Sequence, residues 1–164
     1  FAGMARMSPV LPLVGPETRF QPVFVDDVAQ AAVMGAMGTA APGIYELGGP
    51  EIASFRALMR QMLDVIGRRR LILGVPFFVA RIMAGALDLV QTLTLGLISN
   101  TVLTSDQLAN LARDNVVGPE ARTLADLGIE PVPMAAVLPE YLWPYRPSGQ
   151  YADIKQSAKN LHKH

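Results

Sequence analysis

The chain has 164 residues, carries 14 basic and 14 acidic side chains, and contains no cysteine. That length fits one domain. The balanced charge argues against a nucleic-acid partner, and the lack of cysteine excludes disulfides and cysteine-ligated metal. No metal is expected from histidine either, because His162 and His164 stand at the very end of the chain and read as tail. The hydrophobic share is 51%; with glycine added it exceeds the about 45–50% of ordinary soluble domains, so surface hidden against something else is expected. The chain opens on Phe1, with no charged stretch leading into a hydrophobic run. A fragment of a longer protein is the expectation.

Taken in order, Phe1 to Met7 reads as the end of a helix that Pro9 and Pro12 stop. Thr18 to Val25, "TRFQPVFV", has the β-branched and aromatic content of a short strand, with Pro22 favouring an edge. Asp26 or Asp27 then caps a helix over "VAQAAVMGAM", with Gln30 placed as in a capping box. Adjacent aspartates at a helix start read as caps rather than as a carboxylate pair for acid–base work. Gly43 to Gly49, "GIYELGG", reads as a buried strand. Ser54 caps the next helix, whose Phe55, Leu58, Met59, Met62 and Ile66 recur at helical spacing before Gly67 ends it. The short "GRRR" from Gly67 to Arg70 reads as a solvated helix end.

"LILGVP" is a short strand or extended link, and Pro76 opens the least polar stretch of the chain. Arg81, Gly85, Asp88 and Thr92 fall at helical steps there and form one thin polar stripe. Pro76, Arg81 and Asp88 argue against a membrane span. Burial against protein is one reading of this helix; contact of Phe77, Phe78 and Arg81 with a membrane surface or partner subunit is the other. Thr104 with Gln107 forms another capping box. "PEARTLADLGI" reads as a helix ending at Gly128, and "MAAVLPEYLWPYRP" as a short one broken by prolines. After Pro147 the chain turns polar. Strands alternating with helices give an α/β class, although two parallel strands do not make a stable sheet alone.

The block "RFQPVFVDDVAQAAV" with "GIYELGGPE" resembles the C-terminal part of extended and atypical short-chain dehydrogenases/reductases, the NAD-dependent epimerase/dehydratase group. The order "FRALMRQMLDVIGRRR", "LTSDQLANLARDNVV", "TLADLGIEP" and "LPEYLWPYRPSGQY" is similar to the bacterial branch related to the nucleotide-binding accessory subunit of mitochondrial complex I, NADH:ubiquinone oxidoreductase. The resemblance implies the C-terminal portion of a Rossmann-like fold. Residues 1–50 would give the last sheet strands and a helix, 51–147 a mostly helical lobe, and 148–164 a polar tail. The glycine-rich half is missing, since no G-x-x-G-x-x-G turn follows a strand. NAD(P) would therefore be held by the full-length parent, and weakly or not at all by these residues.

The implied partners are that Rossmann half and respiratory complex I subunits or a membrane surface, with a cytoplasmic location, peripheral on the inner membrane. Arg19 and Gln21 fall where related sugar-nucleotide enzymes line their substrate site. By resemblance one of them binds an anionic group or amide edge, although both also read as solvated strand positions or salt-bridge formers. No catalytic residue is assigned. Tyr151 and Lys155 in "YADIK" have the spacing of a dehydrogenase Tyr-x-x-x-Lys pair. In the family that pair precedes the segment matched here, so these two read as a coincidence. The resemblance also leaves open a parent that is an active sugar-nucleotide epimerase or dehydratase.

Overall fold

A computed structural model describes residues 1–93 and 105–147. Thr104 of the second capping box, the Tyr151/Lys155 pair and the 148–164 tail lie outside the described residues. Helix α1 (Ala2–Met7) leads into strand β1 (Val10–Val14), which pairs in parallel with β4 (Leu71–Val75), Val10 opposite Leu71 and Val14 opposite Val75. Strand β1 stands where Pro9 and Pro12 pointed only to a helix stop. A proline lacks only the donor, and a two-stranded sheet has an outer edge at which that donor is not needed.

Between the paired strands lie β2 (Arg19–Phe20), α2 (Val25–Ala36), β3 (Ala53–Ser54) and α3 (Phe55–Val65). The strand expected over residues 18–25 shrinks to two residues that pair antiparallel with β3. Pro22 cannot extend the ladder, and the Gln21 amide donates instead to the Asn115 carbonyl at 3.1 Å. On α3 the expectation holds closely: the Ser54 hydroxyl accepts from the Ala57 amide at 3.2 Å, and Met62, Leu63 and Ile66 are buried. Gly67 takes a φ of 64° and turns the chain out of the helix.

Helix α4 (Phe77–Leu93) follows β4 directly, and α5 (Ser105–Leu111) packs on it. The chain then passes a 3-10 turn (Ala125–Leu127), α6 (Met134–Leu142) and a second 3-10 turn (Trp143–Tyr145). Helix α6 runs through Pro139 instead of breaking there. Among the described residues the core has two parts. Ala2, Ala5, Leu11, Met62, Leu63 and Ile66 form the larger; Ala80, Ala84 and Leu108 form the smaller, backed by Val14 and Val75.

Three sequence expectations are corrected here. Gly43 to Gly49 is not a buried strand: Ile44 is 88% exposed, and the segment makes one bridge, Tyr45 with Arg122. Its glycines serve close packing instead, because a Cβ on Gly49 would lie 2.0 Å from the Pro22 carbonyl oxygen. Residues 119–129 give only a 3-10 turn. Asp126 Oδ2 accepts from the Thr123 amide at 2.7 Å while the Thr123 hydroxyl accepts from the Ala125 amide, local bonds that compete with a regular helix. At α2 the N-cap is Phe24, with no side-chain cap, so neither Asp26 nor Asp27 does that work. Asp27 is buried instead, and its Oδ2 accepts from the Val132 amide at 2.9 Å, fastening the approach to α6 against the start of α2.

Candidate functional site

The end of a parallel pair where its strands finish is where α/β proteins place ligands. Here β1 finishes at Val14, and Gly15 turns the chain with a φ of 62°. A Cβ at Gly15 would lie 2.8 Å from the Leu111 carbonyl oxygen and 3.0 Å from the Phe77 ring. The turn is therefore clamped between α4 and α5, and only glycine fits it. The Thr18 hydroxyl adds a bond to the same Leu111 carbonyl.

Beside this turn opens an apolar recess of about 470 Å³, walled by Phe1, Phe55, Val75 and Met83, with Gln107 and Asn110 among its polar lining. The Phe55 ring holds one wall, meeting Phe1 edge-on at 5.4 Å and Phe20 at 5.5 Å between centroids. Among the described residues that line it there is no carboxylate, lysine or histidine side chain. The recess can seat an apolar or flat group but offers no side chain for proton transfer.

Arg19 and Gln21 lie together just past the turn, on and beyond β2. The Arg19 amide and Nε each donate at 2.8 Å to Asp114, one to each carboxylate oxygen. That pair of bonds, the backbone one foremost, holds the Asp114 carboxyl below its ordinary value. The Arg19 side chain is 60% exposed even so. Gln21 uses both ends of its amide internally: Nε2 donates to the Gly49 carbonyl at 2.8 Å and Oε1 accepts from the Val117 amide at 3.0 Å. It stitches the Gly48–Gly49 turn to the 115–118 segment and forms one wall of a polar recess of about 390 Å³ shared with Glu46 and Asn115.

Phe77, Phe78 and Arg81 all lie exposed on the first turns of α4, and the Phe77 ring also meets the Gly15 turn. Sequence reading missed Gly15, the Gly48–Gly49 pair and Asp27 as organisers of this region. The one legible signal was the glycine doublet, which marks close backbone approach as readily as a strand end.

No family model matches the chain. It is 35% identical over 144 residues to NADH dehydrogenase (ubiquinone) 1 alpha subcomplex subunit 9, mitochondrial, of Arabidopsis thaliana, a match covering 85% of this chain and 36% of that protein. It is 28% identical over 149 residues to the NADH-ubiquinone oxidoreductase 40 kDa subunit, mitochondrial, of Neurospora crassa, covering 90% of this chain and 38% of that protein. The chain thus spans little more than a third of the length of these curated relatives. Over most of its own length it is a distant homologue of this type of mitochondrial NADH–ubiquinone oxidoreductase subunit.

Proposed function

We propose that these residues are the C-terminal lobe of a nucleotide-binding accessory subunit of the NADH–ubiquinone oxidoreductase type, related to short-chain dehydrogenases/reductases. In that reading a Rossmann half, which the 164 residues do not contain, holds NAD(P). The nucleotide serves structurally or in reduction of a substrate; residues 1–50 supply the last strands and a helix of the Rossmann-like sheet, and 51–147 form a mostly helical lobe over the cleft. The observation that carries the reading is the match of 85% of this chain to a subunit more than twice its length. The fold supports it: a two-stranded parallel sheet is too small to stand alone, and the recess at its carboxyl end has binding walls without catalytic side chains.

Calorimetric titration of NADPH tests this. The chain alone is expected to bind weakly or not at all, and a protein joining it to its Rossmann half to bind tightly. Tight binding by these 164 residues alone overturns the proposal.

A second reading rests on α4, whose Phe78 and Ile82 are 68% and 71% exposed. This face would dock on a respiratory-complex partner or lie on a membrane surface. Among the described residues no helix is long and apolar enough to cross a membrane. Co-sedimentation with liposomes decides the membrane version: Phe78→Asp and Arg81→Glu should each reduce lipid binding, and no binding by the native chain sinks it.

A further inference from the structure

Resting on the function proposed above, we infer that α2 and the segment from Gly43 to Leu47 form one docking surface, that the sheet of the Rossmann half occupies it, and that the segment becomes a strand only when that sheet is present. Helix α2 carries no charge from Val28 to its end, yet the one residue it buries is Asp27. Val25 and Val33 on it, and Met37 just after it, are exposed. An amphipathic helix ordinarily spends its apolar stripe on a core, and this stripe is bare. Beside it opens a recess of about 540 Å³, lined from the helix by the small Ala31, Ala32 and Gly35 and from the facing segment by Tyr45 and Leu47.

That segment is tied along one edge. Tyr45 bridges Arg122, the Glu46 amide donates to the Arg122 carbonyl at 2.8 Å, and Glu46 Oε2 accepts from the Gly118 amide at 2.8 Å. The Arg122 side chain is spent there too, donating to the Pro42 carbonyl at 3.2 Å and lying over the Tyr45 ring. The amides of Tyr45 and Leu47 meet no acceptor among the described residues. Neighbouring residues of an extended chain turn their main-chain groups to opposite edges, so the edge away from Arg122 is open.

An open edge beside an apolar recess suits an added strand, whose main chain meets the amides while its side chains fill the recess. A lipid surface supplies no such ladder. A second copy of the chain also presents a strand edge. The curated relatives, however, extend well beyond the matched part, which is 36% and 38% of their lengths. A sheet on the same polypeptide acts at an effective concentration of about millimolar, which favours it over a free second copy. The glycine-bounded "GIYELGG" is then a buried strand in the joined protein, as its residue types require.

Amide hydrogen exchange tests this on the chain alone and on the protein that joins it to its Rossmann half. In the chain alone the Tyr45 and Leu47 amides should exchange quickly, and the bonded Glu46 amide slowly. In the joined protein Tyr45 and Leu47 should slow by about a hundredfold, with Glu46 still slow. The double variant Val33→Asp/Ile44→Asp changes two side chains exposed in the chain alone. It should leave the circular dichroism and Glu46 protection of the chain alone unchanged, while lowering the urea midpoint of the joined protein and speeding its Tyr45 exchange about tenfold. Fast exchange at Tyr45 and Leu47 in a joined protein that binds NADPH tightly overturns the docking surface and leaves the proposed function standing. Slow exchange without NADPH binding does the reverse, and fast exchange without binding overturns both. Protection in the chain alone that grows with its concentration assigns the edge to a second copy and overturns the inference, as does an unchanged midpoint in the joined double variant.

Discussion

Helices α3 and α4 follow β3 and β4 in the same way, yet they spend their side chains in opposite directions. Helix α3 turns Met62 and Leu63 inward, with Ile66 at its C-cap, against α1 and β1. Helix α4 buries its alanines, Ala80 and Ala84, and leaves Phe78, Ile82 and Met83 exposed. Full burial of a large apolar side chain contributes about 1.5–3 kcal/mol, and an alanine methyl far less. The α3 half of the molecule therefore carries its own stability. Among the described residues of the α4 half, small inward residues allow close helix approach and leave the bulky ones facing outward, and this is the face on which the docking reading rests.

The sharpest way to break that contrast is to shorten a large side chain on the α3 side. Ile66 is fully buried, and Ile66→Ala should cost about 2–5 kcal/mol, read as a lower urea midpoint. A loss below about 1 kcal/mol would show that the α3 cluster does not anchor this half of the molecule. Next in size is Gly49→Ala, because the new methyl meets the backbone at Pro22 rather than a movable side chain. Overpacking of this kind costs about 1–3 kcal/mol. It should also loosen the Gln21 bond to Gly49, which amide hydrogen exchange at Val117 would report through the other end of the same side chain.

The two regions also differ in how much of them the sequence reveals. Helix α3 is written in local chemistry: a serine cap, apolar residues at helical spacing and a glycine stop, each acting within a few residues. The α/β class and the position of α4 are legible on the same grounds. What escapes is non-local. Strand β1 looks like a proline-rich link until β4 pairs with it, 61 residues on at Leu71 opposite Val10. Asp27 has the letters of a cap, but its partner is Val132. Gln21 was placed by resemblance, and its amide is engaged at both ends by segments no spacing rule connects to it.

A smaller effect is expected from Ser54→Ala, which leaves the Ala57 amide without its hydroxyl acceptor and should cost about 1 kcal/mol in the same denaturation assay. Asp114 should give a weaker, pH-dependent effect. Its folded pKa lies below the ordinary carboxylate value because Arg19 donates to it, first through the backbone. A depressed folded pKa means that the stabilisation is present above the unfolded value and disappears as pH falls through the folded one. Native protein should thus exceed Asp114→Asn in stability at neutral pH, with the gap closing on acidification. A gap that grows in acid would reverse the assignment.

Ile82→Ala provides the smallest effect and the cleanest comparison, since it repeats the Ile66 change on a helix that faces the other way. Ile82 is 71% exposed, so its removal leaves no cavity and should shift stability by no more than about 0.5 kcal/mol. Its consequence should appear in association. If α4 is built to be covered, the native chain self-associates or binds hydrophobic dye through this face, and Ile82→Ala with Phe78→Ser reduces both in sedimentation and fluorescence. A large loss of stability instead would mean that Ile82 is already packed within the chain. The contrast between α3 and α4 would then fail at the residue on which it most depends.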